Sequence, residues 1–218
     1  MLVRDVMTAN PITISPASDV LAAVALMRAR RCRHLPVVAD DELVGIVTSV
    51  DISASRTPGL PAEQALLADG VRQRVADVMT AEVVSVPPDY PLEEAASLML
   101  AHRISCLPVV EAGRVAGIVT ETDLFRTLVA MLGGGSHTVR IGVEVANVPG
   151  EFAAVSGRVA ALGGNILSIA SHPAADPERV NLTLRVEGAS LGALAQTLRE
   201  HPGLAIHHTW DQTDAPTP

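Results

Sequence analysis

The 218-residue chain contains no lysine; all 16 of its basic residues are arginine. That absence removes several chemistries together: a Schiff-base amine, a pyridoxal anchor and the lysine of a phosphate loop. Gly133-Gly134-Gly135-Ser136 therefore reads as a linker and not as a nucleotide cradle. Aromatic residues make up 2% (Phe125, Phe152, Tyr90 and Trp210), too few for a platform that stacks single-stranded bases. Net charge is −8, and the arginines are scattered apart from the group at 28–33. A duplex binder needs a basic face, so a nucleic-acid partner is not expected. Two cysteines, Cys32 and Cys106, make no disulfide framework. No apolar run reaches the roughly 18 residues of a membrane span, and MLVRDVMTANP lacks the apolar core of a secretory signal. The expectation is a cytoplasmic protein without a membrane partner.

Catalytic and metal chemistry is equally sparse. His201, His207 and His208 lack a cysteine or carboxylate at ligand spacing, and neighbours on a strand point to opposite faces. Ser171-His172 has no oriented acid and reads as a loop before proline. No metal, no cofactor and no catalytic residue is expected. The chain reads as a non-enzyme.

What is present is a duplication. At a constant offset of 72 residues, Val3 to Ile52 lies over Val75 to Leu124 without a gap, and 21 of the 50 paired positions are identical. VRDVMTA answers VADVMTA, and RHLPVV…GIVTSVD answers SCLPVV…GIVTETD. A gap-free repeat means one structural unit used twice, and similar faces invite closure about a pseudo-twofold axis. A pocket at that seam comes in pairs.

Each copy reads as strand, helix, strand, strand, helix. Short extended runs fall at Pro11–Ile14 and Val83–Val86. A helix opens after Ser18-Asp19 with Leu21, Val24 and Ala25 apolar, and again after Asp89 and Pro91 with Leu92, Ala95, Ala96 and Met99 on one face. A hairpin follows in each copy, turning at Asp40-Asp41-Glu42 and at Ala112-Gly113-Arg114. Met7 and Met79 read as core residues. From His137 the pattern becomes βαββαβ, which fits a ferredoxin-like sandwich with helices on one face of a sheet. The open face calls for a cover, for which a partner subunit is the expectation. The resulting organisation is α/β (α+β): unit one over 1–56, a linker with a helix near 62–71 over 57–74, unit two over 75–132, a glycine linker over 133–136, the third domain over 137–211, and a disordered tail over 212–218.

The sharpest local feature is Gly45-Ile-Val-Thr48-Ser-Val-Asp51, repeated as Gly117-Ile-Val-Thr120-Glu-Thr-Asp123. A hydroxyl ends a strand and a carboxylate follows at the start of a helix. Free N–H groups there attract phosphate, and a carboxylate nearby accepts ribose hydroxyls. The same residues also form a capping box that satisfies the helix alone. Twin LPVV and GIVT strands with a following Asp resemble tandem cystathionine-β-synthase (CBS) domains, a pair known as a Bateman module. The resemblance covers residues 1 to 132. It implies that Thr48, Asp51, Thr120 and Asp123 contact the phosphate and ribose of an adenosine ligand (AMP, ADP, ATP or S-adenosylmethionine). It further implies that Ile12-Thr13 and Val84-Ser85 line the adenine, and that Arg33 and His34 grip phosphates. Ser105 and Cys106 stand at the corresponding place of copy two, which suits a ligand without a string of phosphates, such as S-adenosylmethionine.

The C-terminal unit resembles an ACT domain through Asn147-Val-Pro149-Gly150 and Gly163-Gly164-Asn165-Ile166. The turn offers N–H groups of Gly150 and Glu151 to an α-carboxylate. The resemblance implies an amino-acid site made of Asn147, Pro149, Gly150, Glu151, Asn165 and Ile166. The domain order CBS–CBS–ACT resembles the bacterial acetoin-utilisation protein B family. That order implies a regulatory protein acting on an unknown partner enzyme, and the paired faces imply a homodimer; the alternative is an interaction subunit with vestigial pockets.

Overall fold

Helices and hairpins form where the local pattern places them, and the computed structural model describes residues 1–55, 73–134 and 138–211. The helix expected near 62–71, residues 135–136 of the glycine linker and the 212–218 tail lie outside the described residues. Two compact units divide the chain, Met1–Phe125 and Arg126–Pro218. The first repeat runs through a 3-10 turn (Val3–Asp5), β1 (Thr8–Ala9), α1 (Val20–Arg30), β2 (His34–Ala39), β3 (Glu42–Thr48) and α2 (Ser49–Ala54). The second runs through α3 (Val75–Val78), α4 (Leu92–His102), β4 (Cys106–Glu111), β5 (Arg114–Thr120) and α5 (Glu121–Met131).

Asp19 caps α1 by accepting from the Leu21 N–H at 2.8 Å. The helix buries Val20, Ala23 and Met27. This face is shifted from the expected Leu21, Val24 and Ala25, because the helical period starts at Val20; Ala25 is exposed. In α4 the N-cap is Pro91 without a side-chain bond, so Asp89 does not do the work expected of it, and Leu92, Ala95 and Met99 are buried. Both hairpins turn through two residues at positive φ, Asp40 (50°) with Asp41 (68°) and Ala112 (49°) with Gly113 (82°), which suits the right-handed twist of the strands. The strands expected at Pro11–Ile14 and Val83–Val86 shrink to single parallel bridges, Ile14 with Val37 and Val86 with Val109. Pro11, Pro16, Pro87 and Pro88 have no N–H to extend the ladder.

The leading segment of each repeat belongs to the other repeat. Val3 is buried with Val86, Leu92, Leu107 and Val119, while Val75 is buried with Ile14, Leu35, Val47 and Ile52. Strand β1 pairs with Gly117 and Ile118 of β5. Thr80 and Ile46 exchange both backbone hydrogen bonds at 2.9 Å. The glycine of each GIVT strand makes room for this crossing. A Cβ on Gly45 would lie 2.6 Å from Met79 Sδ and 3.1 Å from the Thr80 carbonyl oxygen; one on Gly117 would strike the Met7 side chain. Met7 and Met79 are thus partly buried plugs on the opposite core. At the seam, Ile46, Ile118 and Cys106 are buried together, with Val83 against them.

The second unit runs through β6 (Val139–Ala146), α6 (Glu151–Ala161), β7 (Asn165–Pro173), β8 (Arg179–Glu187), α7 (Leu191–Arg199) and β9 (Ala205–Trp210). Its sheet is antiparallel in the order β7-β8-β6-β9, a ferredoxin-like arrangement. Val139, Ile141, Val143 and Val145 alternate onto Val155, Val159, Leu194 and Leu198. Ser171 and His172, expected in a loop, lie within β7. The other face carries Arg140, Glu144, Asn181, Thr183 and Arg185, so it is polar. Among the described residues, no helix is long and apolar enough to cross a membrane, and no group of three or more His, Cys, Asp or Glu could hold a metal ion.

Overpacking a filled contact costs about 1–3 kcal/mol. Gly45→Ala is therefore expected to destabilise the full chain by that amount in denaturant unfolding. Gly157→Ala, in α6 with nothing within 4 Å of the added Cβ, is expected to stabilise by about 0.5–1 kcal/mol. A neutral or stabilising Gly45→Ala would refute the crossing contact.

Candidate functional site

The first Thr–Asp motif folds as a capping box, and the second shares its Thr-to-Asp bonds. Thr48 N–H and Oγ1 both donate to Asp51 Oδ2, at 2.8 and 2.7 Å, while Thr48 Oγ1 accepts from the Val50 and Asp51 N–H groups at 3.2 Å. Thr120 repeats the pattern to Asp123 Oδ2 at 2.9 and 2.7 Å. Both bonds in each box engage one carboxylate oxygen. The cap holds the carboxylate at the end of the GIVT strand in a fixed orientation.

Beside the first box lies a cleft of about 270 Å³, at the small end of ligand pockets. One wall is Ile46, Thr48, Val50 and Asp51 of the first repeat. The other is Thr80, Glu82, Val83, Val84 and the stretch Arg103-Ile104-Ser105-Cys106 with Pro108 of the second. Of the residues singled out by the resemblance, Thr48, Asp51 and Val84 line this cleft and Ser85 does not. Ile12, Arg33, His34, Thr120 and Asp123 do not line this cleft; they occupy the positions equivalent to its lining after the 72-residue shift. Thr13, like Ser85, falls outside the equivalent set. Arg33 also lines a separate groove of about 480 Å³ with Arg28, Arg31, Cys32, Ser49 and Ser53.

Thr80, Glu82, Arg103 and Ile104 escaped the reading of the sequence, whereas Ser105 and Cys106 line the cleft where the repeat placed them. The signal for Thr80 was the repeated VMT triplet, but nothing local says that this segment crosses to the other repeat. The lining is apolar on the base-sized wall and polar at Asp51, Thr48, Ser105, Glu82 and Arg103. That combination suits a flat heterocycle attached to a hydroxylated, polar group.

Position 34 joins the two halves. His34 Nε2 lies 2.9 Å from Ser105 Oγ. Burial, then the Arg33 charge, hold the imidazole below its ordinary value, opposed by Glu121 and Asp51. Its equivalent, Cys106, has its thiol pushed up to about 12 by burial and then by Asp51 and Glu121. Cys106 is therefore an uncharged lining group.

In the second unit, Asn147 donates its side-chain N–H to the Pro177 carbonyl at 3.4 Å. Gly150, at φ 96°, is the N-cap of α6. The Glu151 carboxylate is held by His201 Nε2 at 2.7 Å, and its backbone N–H donates to the Val148 carbonyl at 3.5 Å. Asn165 bonds Glu187 at 2.8 Å. Ala146 pairs with Arg179 at one end of β8 and Asn165 with Glu187 at the other. Within one chain, Asn165 and Ile166 therefore sit roughly 25 Å from Asn147, Pro149, Gly150 and Glu151, at about 3.3 Å per strand residue.

Residues 3–55 and 75–130 each match the CBS domain family, half of the chain together. The chain belongs to the CBS domain family. Residues 139–203 match the ACT domain family, so a Bateman module is followed by an ACT domain. CBS domain-containing protein YhcV of Bacillus subtilis is 36% identical over 122 residues, 56% of this chain and 81% of that protein. Homoserine O-acetyltransferase of Methanocorpusculum labreanum is 39% identical over 126 residues, 57% of this chain. The chain spans only 23% of that enzyme's length, aligning with regulatory domains. Among solved structures, the CBS domain pair of protein MJ0100 in complex with 5′-methylthioadenosine and S-adenosyl-L-methionine has a TM-score of 0.51 and 31% identity over 60% of this chain and 97% of that one. A candidate acetoin utilization protein (AcuB) from Vibrio cholerae has a TM-score of 0.52 and 31% identity over 61% of this chain and 93% of that one.

Two measurements check the electrostatics. A thiol near 12 instead of 9.0 has roughly a thousandfold less thiolate at pH 8. Iodoacetamide is expected to leave Cys106 unlabelled in the folded CBS pair while it reacts in denaturant; labelling at an exposed-thiol rate refutes its burial. His34, lowered from 6.5, binds its proton less readily when folded. Its stabilising contribution is full above pH 6.5 and is lost as pH falls through the lower folded value. His34→Asn is expected to flatten the stability profile over that window; an unchanged slope would contradict the assignment.

Proposed function

We propose that the chain is a non-catalytic regulatory sensor that binds an adenosine-containing ligand in its CBS pair. The observation that carries this reading is the 270 Å³ cleft, in which Thr48 and Asp51 of one repeat face Val83-Val84 and Ile104–Cys106 of the other. Asp51 holds its cap through Oδ2, and Oδ1 accepts the ribose hydroxyls. The base lies against Val84 and Ile104. Ser105 and the neutral Cys106 suit a ligand such as S-adenosylmethionine here, while Arg33 and His34 suit phosphates in a second cleft with Thr120, Asp123 and Ile12. A ligand shared by both walls shifts the equilibrium between their arrangements by its differential affinity, and a partner enzyme reads that shift.

In the ACT domain, the turn at Asn147, Pro149, Gly150 and Glu151 accepts the carboxylate of an amino acid. Asn165 and Ile166 reach that turn only from a second copy, given their place at the far end of β8. This supports a homodimer. The acetoin connection rests on domain order and on the likeness to the Vibrio cholerae protein. A second reading is favoured by one observation: the capping boxes account for Thr48, Asp51, Thr120 and Asp123 without any ligand. The chain is then an interaction subunit with vestigial clefts.

Calorimetry against AMP, ATP and S-adenosylmethionine separates the two. The sensor reading expects saturable binding of at least one compound. It also expects a loss of tenfold or more in Asp51→Asn or Asp123→Asn, in which the amide still caps the helix but a charged acceptor of about 1.5–3 kcal/mol is gone. Flat titrations with all three would establish the interaction subunit.

A further inference from the structure

The open face of the ACT sheet sets two like charges side by side. Arg140 on β6 lies directly opposite Arg185 on β8. The row continues to Trp210 on β9 and Ser168 on β7. The Arg185 guanidinium sits 5.0 Å from the centre of the Trp210 ring. Arg185 donates to Thr138 Oγ1 at 3.3 Å, and Arg140 donates to Thr183 Oγ1 at 3.5 Å. Both arginines are half-buried. Among the described residues neither has a carboxylate partner.

Like charges directly opposite in an antiparallel pair oppose folding. The shortage of acid is local and not general, because the chain carries 24 Asp and Glu against 16 Arg. Farther along the same face, Arg179 is met by Glu144. The row is also sheltered. A Cβ on Gly133, in the segment that leaves α5, would lie 3.5 Å from Arg185 Cγ and 3.6 Å from Ser168 Oγ. In the next row the His207 ring fills the space over Gly142, 2.7 Å from where a Cβ would stand.

We propose that Arg140 and Arg185 form a binding site for a small oxyanion, a carboxylate or a phosphate monoester. Each guanidinium presents a fork of N–H donors matched to such a group, and the hydroxyls of Thr183 and Ser168 flank them. The anion supplies the negative charge that the sequence withholds. This site is separate from the turn at Asn147–Glu151, which lies past the opposite end of β6.

The chain has a single tryptophan, and it touches this site, so its fluorescence reports occupancy directly. The full-length protein at low ionic strength is titrated with inorganic phosphate and, separately, with succinate, against sodium chloride at matched ionic strength. At least one of the two anions is expected to give a saturable change in emission with a midpoint below about 1 mM. Arg140→Gln and Arg185→Gln are expected to weaken it at least tenfold, with far-UV circular dichroism unchanged, and Arg140→Lys to weaken it less. In anion-free buffer Arg140→Gln is expected to raise the thermal midpoint, and the binding anion to raise that of the parent but not of the variant. Emission that follows ionic strength alone overturns the site, as does equal binding by Arg140→Gln. A response to a polyglutamate peptide but to neither small anion overturns it in favour of protein docking.

Discussion

Met79 lies over Gly45 and Met7 over Gly117, and this reciprocal contact turns two repeats into one unit. Each repeat lends its leading segment to the other: Val75 completes the first core and Val3 the second. A repeat cut away from its twin would expose that core and leave the edge of β3 or β5 without its bridge. The cleft at the seam is a consequence of the exchange. Its walls come from different repeats because Thr80 to Val84 follow directly on the crossing segment. Folding and cleft formation are thus one event.

On that frame the proposed ligand role of the Thr–Asp pairs is compatible with their capping role. Capping fixes the carboxylate through one oxygen and makes the side chain rigid before any ligand arrives, which lowers the ordering cost of binding. The frame is symmetric while the chemistry placed on it is not. The cleft has Glu82, Ser105 and the uncharged Cys106 where the equivalent positions of the first repeat carry Asn10, Arg33 and His34. The hydrogen bond between His34 and Ser105 crosses between these unlike sets. In the ACT domain the equivalent side chains are held by one another, Glu151 by His201 and Asn165 by Glu187.

Features governed by near neighbours were legible in the sequence. The hairpins at 34–48 and 106–120, the Asp19 cap, the capping boxes and the alternation of Val139 to Val145 each depend on residues within one or two turns of chain. The repeat made Thr48 and Asp51 conspicuous, and the family resemblance gave them a role. Features set by partners far along the chain were hidden. Nothing near Met79 says that it rests on Gly45, and nothing near Thr80 or Cys106 says that they share a wall with Asp51. The strands at Pro11–Ile14 and Val83–Val86 failed because flanking prolines cannot supply ladder hydrogen bonds. Arg140 and Arg185 became neighbours only through the β6–β8 register.

The central claim is that a carboxylate held by its own cap faces a ligand cleft shared by the two repeats. A crystal structure of the full chain grown with S-adenosylmethionine, and another with AMP, tests it most directly. The account predicts, in at least one of them, ribose hydroxyls at about 2.7 Å from Asp51 or Asp123, with the base between segments of both repeats. Clefts closed by repacked side chains, with both carboxylates turned to solvent and the compounds bound elsewhere or not at all, would contradict it.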